Sequence, residues 1–129
     1  MSDRILIIDD DPRLVEALSL RLCALGYEVR TACCGRDGLH IAREFRPQLI
    51  VLDINMPHMN GYEVCRHVRS DPHLHHTPLI VLSAIDHDTA RQAALAAGAD
   101  KFLAKPYLAS HLTAEIRAAI DASGVGLLK

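Results

Sequence analysis

The sequence predicts an α/β fold in which five βα units wind on both faces of one parallel sheet. Three observations predict it: strand-sized runs alternate five times with segments of helical periodicity, three of the runs are apolar on consecutive residues, and the connections are short. A strand covered by helices on both faces has no solvent side, so it carries apolar residues without alternation. Crossovers between parallel strands are almost always right-handed, which makes a doubly wound sheet the economical way to join such units.

The strand segments are "RILIID" (4–9), "EVRTA" (28–32), "LIVLD" (49–53), "PLIVLS" (78–83) and "KFLAK" (101–105). The second alternates, as suits an edge strand. Asp11 followed by Pro12 marks a helix start, because the carboxylate can accept from the free N–H groups of the first turn and proline has no N–H to waste there. Leu14, Val15, Leu18, Leu22 and Leu25 then trace an apolar stripe that Gly26 closes. Shorter helices are expected over 36–45, stopped before Pro47, and over 61–70, with Val64, Cys65 and Val68 inward and Pro72 beyond. Residues 88–97, "DTARQAALAA", form an alanine-rich helix ended by Gly98; its thin side chains bury little area, so it should dock least firmly. The last helix, over 107–122, presents Leu108, Leu112, Ile116, Ala119 and Ile120 at helical spacing. The expected organisation is one domain over residues 1–122 and a loose tail over 123–129.

A chain of 129 residues can bury a core without disulfides or a structural metal. With 50% hydrophobic residues, 23% charged residues and a formal net charge of -2, neither disorder nor a basic nucleic-acid-binding surface is indicated. The apolar runs fall far short of the roughly 20 residues that span a bilayer. The opening "MSDR" lacks a signal-peptide pattern, which points to a cytoplasmic protein without membrane contact. Cys23, Cys33, Cys34 and Cys65 show no CxxC spacing and read as reduced, half-buried thiols. His73, His75 and His76, with Asp71 nearby, make a metal site imaginable, but a histidine-rich surface loop is the simpler reading.

In open sheets of this kind the ligand site lies beyond the carboxyl ends of the strands, where the strand order reverses. The residues found there are Asp9 and Asp10 after the first run, Asp53 after the third, Ser83 after the fourth and Lys105 after the fifth. If the order is 2-1-3-4-5, the first and third strands are neighbours and their carboxylates meet. Carboxylates so close disfavour each other's ionised state, and a hard divalent cation with oxygen ligands, best Mg2+, would relieve the repulsion. Such a site keeps coordination positions for phosphate oxygens. Asp53 could then act as a nucleophile forming an aspartyl phosphate, with the Lys105 ammonium neutralising charge and the Ser83 hydroxyl donating a hydrogen bond.

These residues, in this order at strand ends, resemble the receiver domain of response regulators in two-component signalling, over about residues 3–122. The resemblance implies a flavodoxin-like (βα)5 fold. It places the family's acidic pair on Asp9 and Asp10, its phosphoacceptor on Asp53 in "LDINMP", and a metal-binding backbone carbonyl on Asn55. It also places the hydroxyl residue on Ser83 in "VLSA", the lysine on Lys105 in "KP", the switch aromatic on Phe102, and a cis peptide between Lys105 and Pro106. Ser83 stands where many members carry threonine, and Phe102 where many carry tyrosine.

The implied partners are a sensor histidine kinase or histidine phosphotransfer protein as donor and a downstream effector protein or domain. A homodimer would form through the face of the fourth helix, fifth strand and fifth helix. On modification, Ser83 and Lys105 would be drawn to the phosphoryl group and Phe102 would swing inward, with the alanine-rich helix shifting. Asn55 and Ile85 would flank the path of the hydrolytic water. The only turnover expected is self-phosphorylation and its reversal. The rival readings are a phosphatase similar to the haloacid dehalogenases, which usually carries a second acid where Asn55 stands, and an adaptor that works without phosphorylation.

Overall fold

The structure, a computed structural model, describes residues 2–56, 58–85 and 88–127, with the side chains of 124–127 outside the description. Its elements are β1 (Arg4–Ile8), α1 (Pro12–Ala24), β2 (Glu28–Ala32), α2 (Gly35–Phe45), β3 (Leu49–Asp53), α3 (Gly61–Ser70), β4 (Leu79–Ser83), α4 (Asp88–Ala97), β5 (Lys101–Ala104) and α5 (Ala109–Leu127). All strand pairs are parallel and the order is β2-β1-β3-β4-β5, as expected. The strand order reverses between β1 and β3, where Ile8 stands opposite Leu52.

The unbroken apolar runs are sorted by the two-residue period of a strand. Leu6, Ile8, Ile50, Leu52 and Val81 face one way and meet Ala42 and Phe45 of α2, Val64 and Val68 of α3, and Ala94 of α4. Ile5, Ile7, Leu49, Val51, Ile80 and Leu82 face the other way and meet Leu18 and Leu22 of α1 with Leu112 and Ile116 of α5. Burying one such side chain contributes roughly 1.5–3 kcal/mol, so the central strands fix the rim on which the terminal residues stand. The edge strand β2 is exposed except at Val29 and Ala32.

Several boundaries differ from the expectations. Asp9 and Lys105 lie one residue past the ends of β1 and β5, and Pro78 precedes β4. The last helix starts at Ala109 rather than 107 because residues 105–108 form a bend that includes a cis Lys105–Pro106 peptide, and it is assigned to Leu127 rather than 122. Leu108 therefore precedes the helix and is 74% exposed instead of lying on its apolar stripe. Leu25 caps the end of α1 and is likewise exposed, so the buried stripe of that helix narrows to Leu18 and Leu22, with Val15 packed alongside. The four cysteines are free, with Cys65 buried, Cys34 intermediate, and Cys23 and Cys33 exposed. Among the described residues no helix is long and apolar enough to cross a membrane.

Candidate functional site

The carboxyl-terminal rim is shaped by local hydrogen bonding at the end of each strand. The N–H of Asp9 donates to Ala32 O at 3.1 Å, which carries the backbone of β1 past its last paired residue and fixes the carboxylate just beyond it. Asp9 Oδ1 accepts from the N–H of Asp11 at 2.9 Å. Asp11 caps α1, accepting from Arg13 and Leu14 at 3.1 and 3.4 Å. Of the three consecutive acids, the first is buried, the second projects exposed toward the rim, and the third is spent on the helix.

At the end of β3, Asp53 is 5% exposed. The chain behind it is held by α3: the N–H of Gly61 donates to Ile54 O at 2.9 Å. A Cβ on Gly61 would lie 2.7 Å from both Asp53 O and the Ile54 Cα, so only glycine lets α3 start this close to the strand end. Asn55 is exposed in the following loop, and its N–H donates to the Asp53 carboxylate.

Asp9, Asp10 and Asp53 each offer an oxygen within 4.8 Å of the others, the one such cluster of potential ligands among the described residues. The oxygens around a six-coordinate Mg2+ stand about 3–4 Å apart, so this set fits a hard divalent cation with little adjustment. Its chemistry fits as well. Burial, followed by the charge of Asp9, pushes the Asp53 carboxyl above its ordinary value, while Lys105 and the Asn55 N–H pull it back without prevailing. Among the described residues the cluster sets three carboxylates against the single ammonium of Lys105. The histidine loop does not assemble such a set: His75 Nδ1 bonds Pro72 O at 3.1 Å and its ring leans on His76, while Asp71 accepts from His73 N–H and Arg43.

Among the described residues, Lys105 provides the one cation inside the site. Its Nζ is 3.0 Å from Asp9 Oδ2 and 3.4 Å from Asp53 Oδ1. Burial works against the ammonium, but the hydrogen bond and charge of Asp9, with those of Asp53, outweigh it and raise its pKa. Lys105 is charged at neutral pH and spans both strands of the switch point. Its own N–H donates to Ser83 O at 2.7 Å, which ties the bend after β5 to the end of β4.

Ser83 is 1% exposed, one residue beyond Leu82, the register partner of Asp53. Its hydroxyl accepts from Ile85 N–H at 3.0 Å. Phe102 stands apart from the acids. It is buried in the layer with α4, and the Arg91 guanidinium lies 4.9 Å from its ring centroid. The ring is inside while the Ser83 hydroxyl is still engaged by Ile85, so its inward position does not wait on Ser83 moving.

Sequence reasoning missed three participants. Gly61 looked like an ordinary helix start. Arg91 was one of several scattered arginines. Tyr107 follows "KP" directly, a placement that could have signalled it: it is half-buried beside the site, and burial, the dominant influence on its hydroxyl, pushes the pKa up.

With that geometry in view, the likenesses to known proteins are specific. The profile of the response regulator receiver domain matches residues 5–117. The transcriptional regulatory protein AfsQ1 of Streptomyces coelicolor is 42% identical over 116 residues, 90% of this chain and 50% of that protein. The response regulator MprA of Mycolicibacterium vanbaalenii is 42% identical over 118 residues, 92% of this chain and 50% of that protein. The chain therefore spans about half the length of these relatives. Among solved structures, the chemotaxis response regulator CheY4 of Vibrio cholerae superposes with a TM-score of 0.87 at 31% identity, covering 92% of this chain and 99% of that one. The signal receiver domain of a signal transduction histidine kinase from Syntrophus aciditrophicus gives 0.87 at 30% identity, covering 94% and 92%. The same fold thus serves inside a kinase and in a chemotaxis regulator, and what these proteins share with this chain is the receiver unit itself. A profile match across most of its length places the chain in the response regulator receiver domain family of two-component signal transduction.

Proposed function

We propose that this domain accepts a phosphoryl group on Asp53 from the phosphohistidine of a sensor histidine kinase or a histidine phosphotransfer protein, and that Asp9, Asp10, Asp53 and the Asn55 carbonyl hold the Mg2+ the reaction needs. The observation that carries the reading is Lys105, whose ammonium reaches both Asp9 and Asp53 at the point where three carboxylates converge. An Asp53 oxygen attacks phosphorus as the P–N bond of the donor breaks, its electron pair passing to the imidazole, which takes a proton. Bound Mg2+ would supply charge neutralisation to the transferring oxygens. Lys105 then exchanges a carboxylate for a phosphoryl oxygen, and Ser83 turns its hydroxyl from accepting Ile85 N–H to donating to the new group. Asn55 and Ile85 border the route of the water that reverses the reaction.

The output follows from the same charges. One added phosphoryl group brings roughly one to two negative charges to this rim, enough to draw on both Ser83 and Lys105 and, through them, on β4 and β5. The face built from α4, β5 and α5 then engages an effector protein or domain, or a second copy of the chain. Phe102 takes part as the packing link between β5 and α4. A cytoplasmic protein fits these partners.

The test is intact-mass analysis after incubation with acetyl phosphate, with and without Mg2+, on the wild type and on Asp53→Asn. The expected result is a labile gain of one phosphoryl group that requires both Mg2+ and Asp53. A folded wild type that takes no label from acetyl phosphate or from a phosphohistidine donor would overturn the reading in favour of an adaptor. Steady turnover of phosphate esters would favour the phosphatase.

A further inference from the structure

β2 lies at one end of the strand order and pairs on one side only, with β1. Two bonds fix the direction of its main-chain groups. Glu28 N–H donates to Asp3 O at 2.9 Å, and Ala32 O accepts from Asp9 N–H at 3.1 Å, so both residues turn their main chain toward the β1 side. Along a strand these groups alternate from one side to the other, as the side chains alternate between faces. Arg30 therefore also bonds toward β1, and Val29 and Thr31 turn their N–H and C=O groups outward to the open edge. Such a row of groups is a template for a further strand.

The side chains on this edge are charged in a definite order. Val29 packs on the layer of α1 and α5, and Ala32 lies in the opposite layer, so Glu28 and Arg30 stand with Ala32 on the α2 side. Both are exposed. The Arg30 guanidinium lies 5.2 Å from the Phe45 ring centroid and shares that ring with Arg4, at 5.9 Å, so its nearest charged neighbour there is another cation. Among the described residues neither Glu28 nor Arg30 enters an ion pair. Charges on an edge strand usually discourage pairing. Two opposite charges spaced two residues apart do so in some registers and favour it in another.

A second copy of β2, laid antiparallel about a two-fold axis, has to bring outward groups to outward groups. Setting Val29 opposite Thr31 puts Arg30 against Arg30, and like charges directly opposite are destabilising. Setting Thr31 opposite Thr31 puts Arg30 against Ala32 and leaves both charges unpaired. Setting Val29 opposite Val29 puts Glu28 against Arg30 on both sides of the axis, at the positions where opposing side chains come closest. Charge selects the last register.

We propose that β2 is a self-association edge: two copies of the chain join antiparallel through β2, with Val29 on the two-fold axis and Glu28 of each copy paired with Arg30 of the other. The joined sheet is continuous, and the face of α4, β5 and α5 stays free at both of its ends. The contact is one short strand per copy, so the association is weak and depends on concentration. It requires no modification of Asp53.

The experiment is sedimentation equilibrium of the unmodified full chain over a concentration series. The samples are the wild type, Glu28→Arg, Arg30→Glu, an equal mixture of these two variants, and the chain carrying both substitutions, each checked for folding by circular dichroism. The wild type should pass from monomer to dimer. Each single substitution sets like charges opposite each other on both sides of the axis and should weaken dimerisation about tenfold. The equal mixture should regain it as a heterodimer, identified by native mass spectrometry, because each chain offers the charge the other lacks. The doubly substituted chain should dimerise as the wild type does. A wild type that stays monomeric up to about 1 mM would overturn the proposal. Dimerisation indifferent to both single substitutions would overturn it too, by placing the contact on another surface, as would folded variants whose mixture regains nothing. Heterodimers of wild type with Arg30→Glu, formed in preference to wild-type homodimers, would put Arg30 on the axis and overturn the register. Glu28 is exposed and unpaired, so Glu28→Arg decides the matter by itself if Arg30→Glu, which gives up the Phe45 ring, does not fold.

Discussion

The two rims of the sheet are built on opposite electrostatic arrangements. At the amino-terminal rim, arginines meet acceptors that would otherwise be short of donors. Arg4 donates through Nε to Phe45 O at 2.9 Å and through Nη2 to Arg46 O at 2.7 Å, closing the end of α2, and Arg69 does the same for α4. At the carboxyl-terminal rim, three carboxylates converge, one lysine reaches two of them, and Asp53 is harder to ionise than a free carboxyl. The first rim is complete in itself. Among the described residues the second sets three carboxylates against one ammonium, and it is where the proposed ligand chemistry lies.

The comparison is sharpest with a cation. Mg2+ should stabilise the folded domain by about 2.7 kcal/mol at a free concentration one hundred times its dissociation constant, since it binds the folded state alone. Urea unfolding at increasing Mg2+ reads this directly. Asp10→Asn, an exposed position, should leave the cation-free midpoint nearly unchanged and shift the Mg2+ response to higher concentration. A midpoint indifferent to Mg2+ would mean the excess charge at this rim is not a cation site.

The opposite rim should answer to mutation and ignore Mg2+. Arg4→Ala removes a charged donor from two carbonyls and a cation resting 5.9 Å from the Phe45 ring, which should cost about 1–2 kcal/mol. The loss should be equal with and without Mg2+, and labelling of Asp53 should be unaffected. A loss that Mg2+ repairs would show that the two rims are coupled and the division drawn here is wrong.

Much of this division was legible in the sequence because apolar runs and their terminal residues are local signals. "LIVLD" specifies both a strand buried on two faces and the carboxylate at its end, and the strand order then brings Asp9 to Asp53. Less local features were hidden. Leu108 fits a helical stripe by spacing, yet the bend through Lys105 and Pro106 takes it out of the helix, and periodicity does not register a turn that delays a helix start. The clamps were hidden for a different reason. Arg4 and Arg69 act on main-chain carbonyls 41 and 29 residues away, and a carbonyl short of donors has no letter in the sequence. The position of Phe102 was undetermined because its layer depends on Arg91 and on the thin face of α4, which the pattern of β5 does not contain.

The smallest expected effect separates the rims by its sign. Burial and the charge of Asp9 raise the Asp53 pKa, so its contribution to folding is fully present below the ordinary value of 3.8 and is lost as pH rises through the raised folded value. Asp71, at the amino-terminal side, runs the other way. The N–H of His73, with help from Arg43, lowers its pKa, so its contribution is present above 3.8 and is lost as pH falls through the lowered value. Without Mg2+ at neutral pH, Asp53→Asn should therefore be the more stable protein, by about 1 kcal/mol, the remainder after a burial and repulsion cost is set against the lost Lys105 contact. That advantage should shrink as the pH is lowered into the carboxylate range. Asp71→Asn should be less stable than wild type at neutral pH, with the deficit closing in acid. Paired urea titrations of the three proteins between neutral pH and the carboxylate range decide it. If Asp53→Asn were destabilised at neutral pH, the Lys105 contact would outweigh the repulsion, and the rim assigned to ligand chemistry would be as self-sufficient as the one opposite.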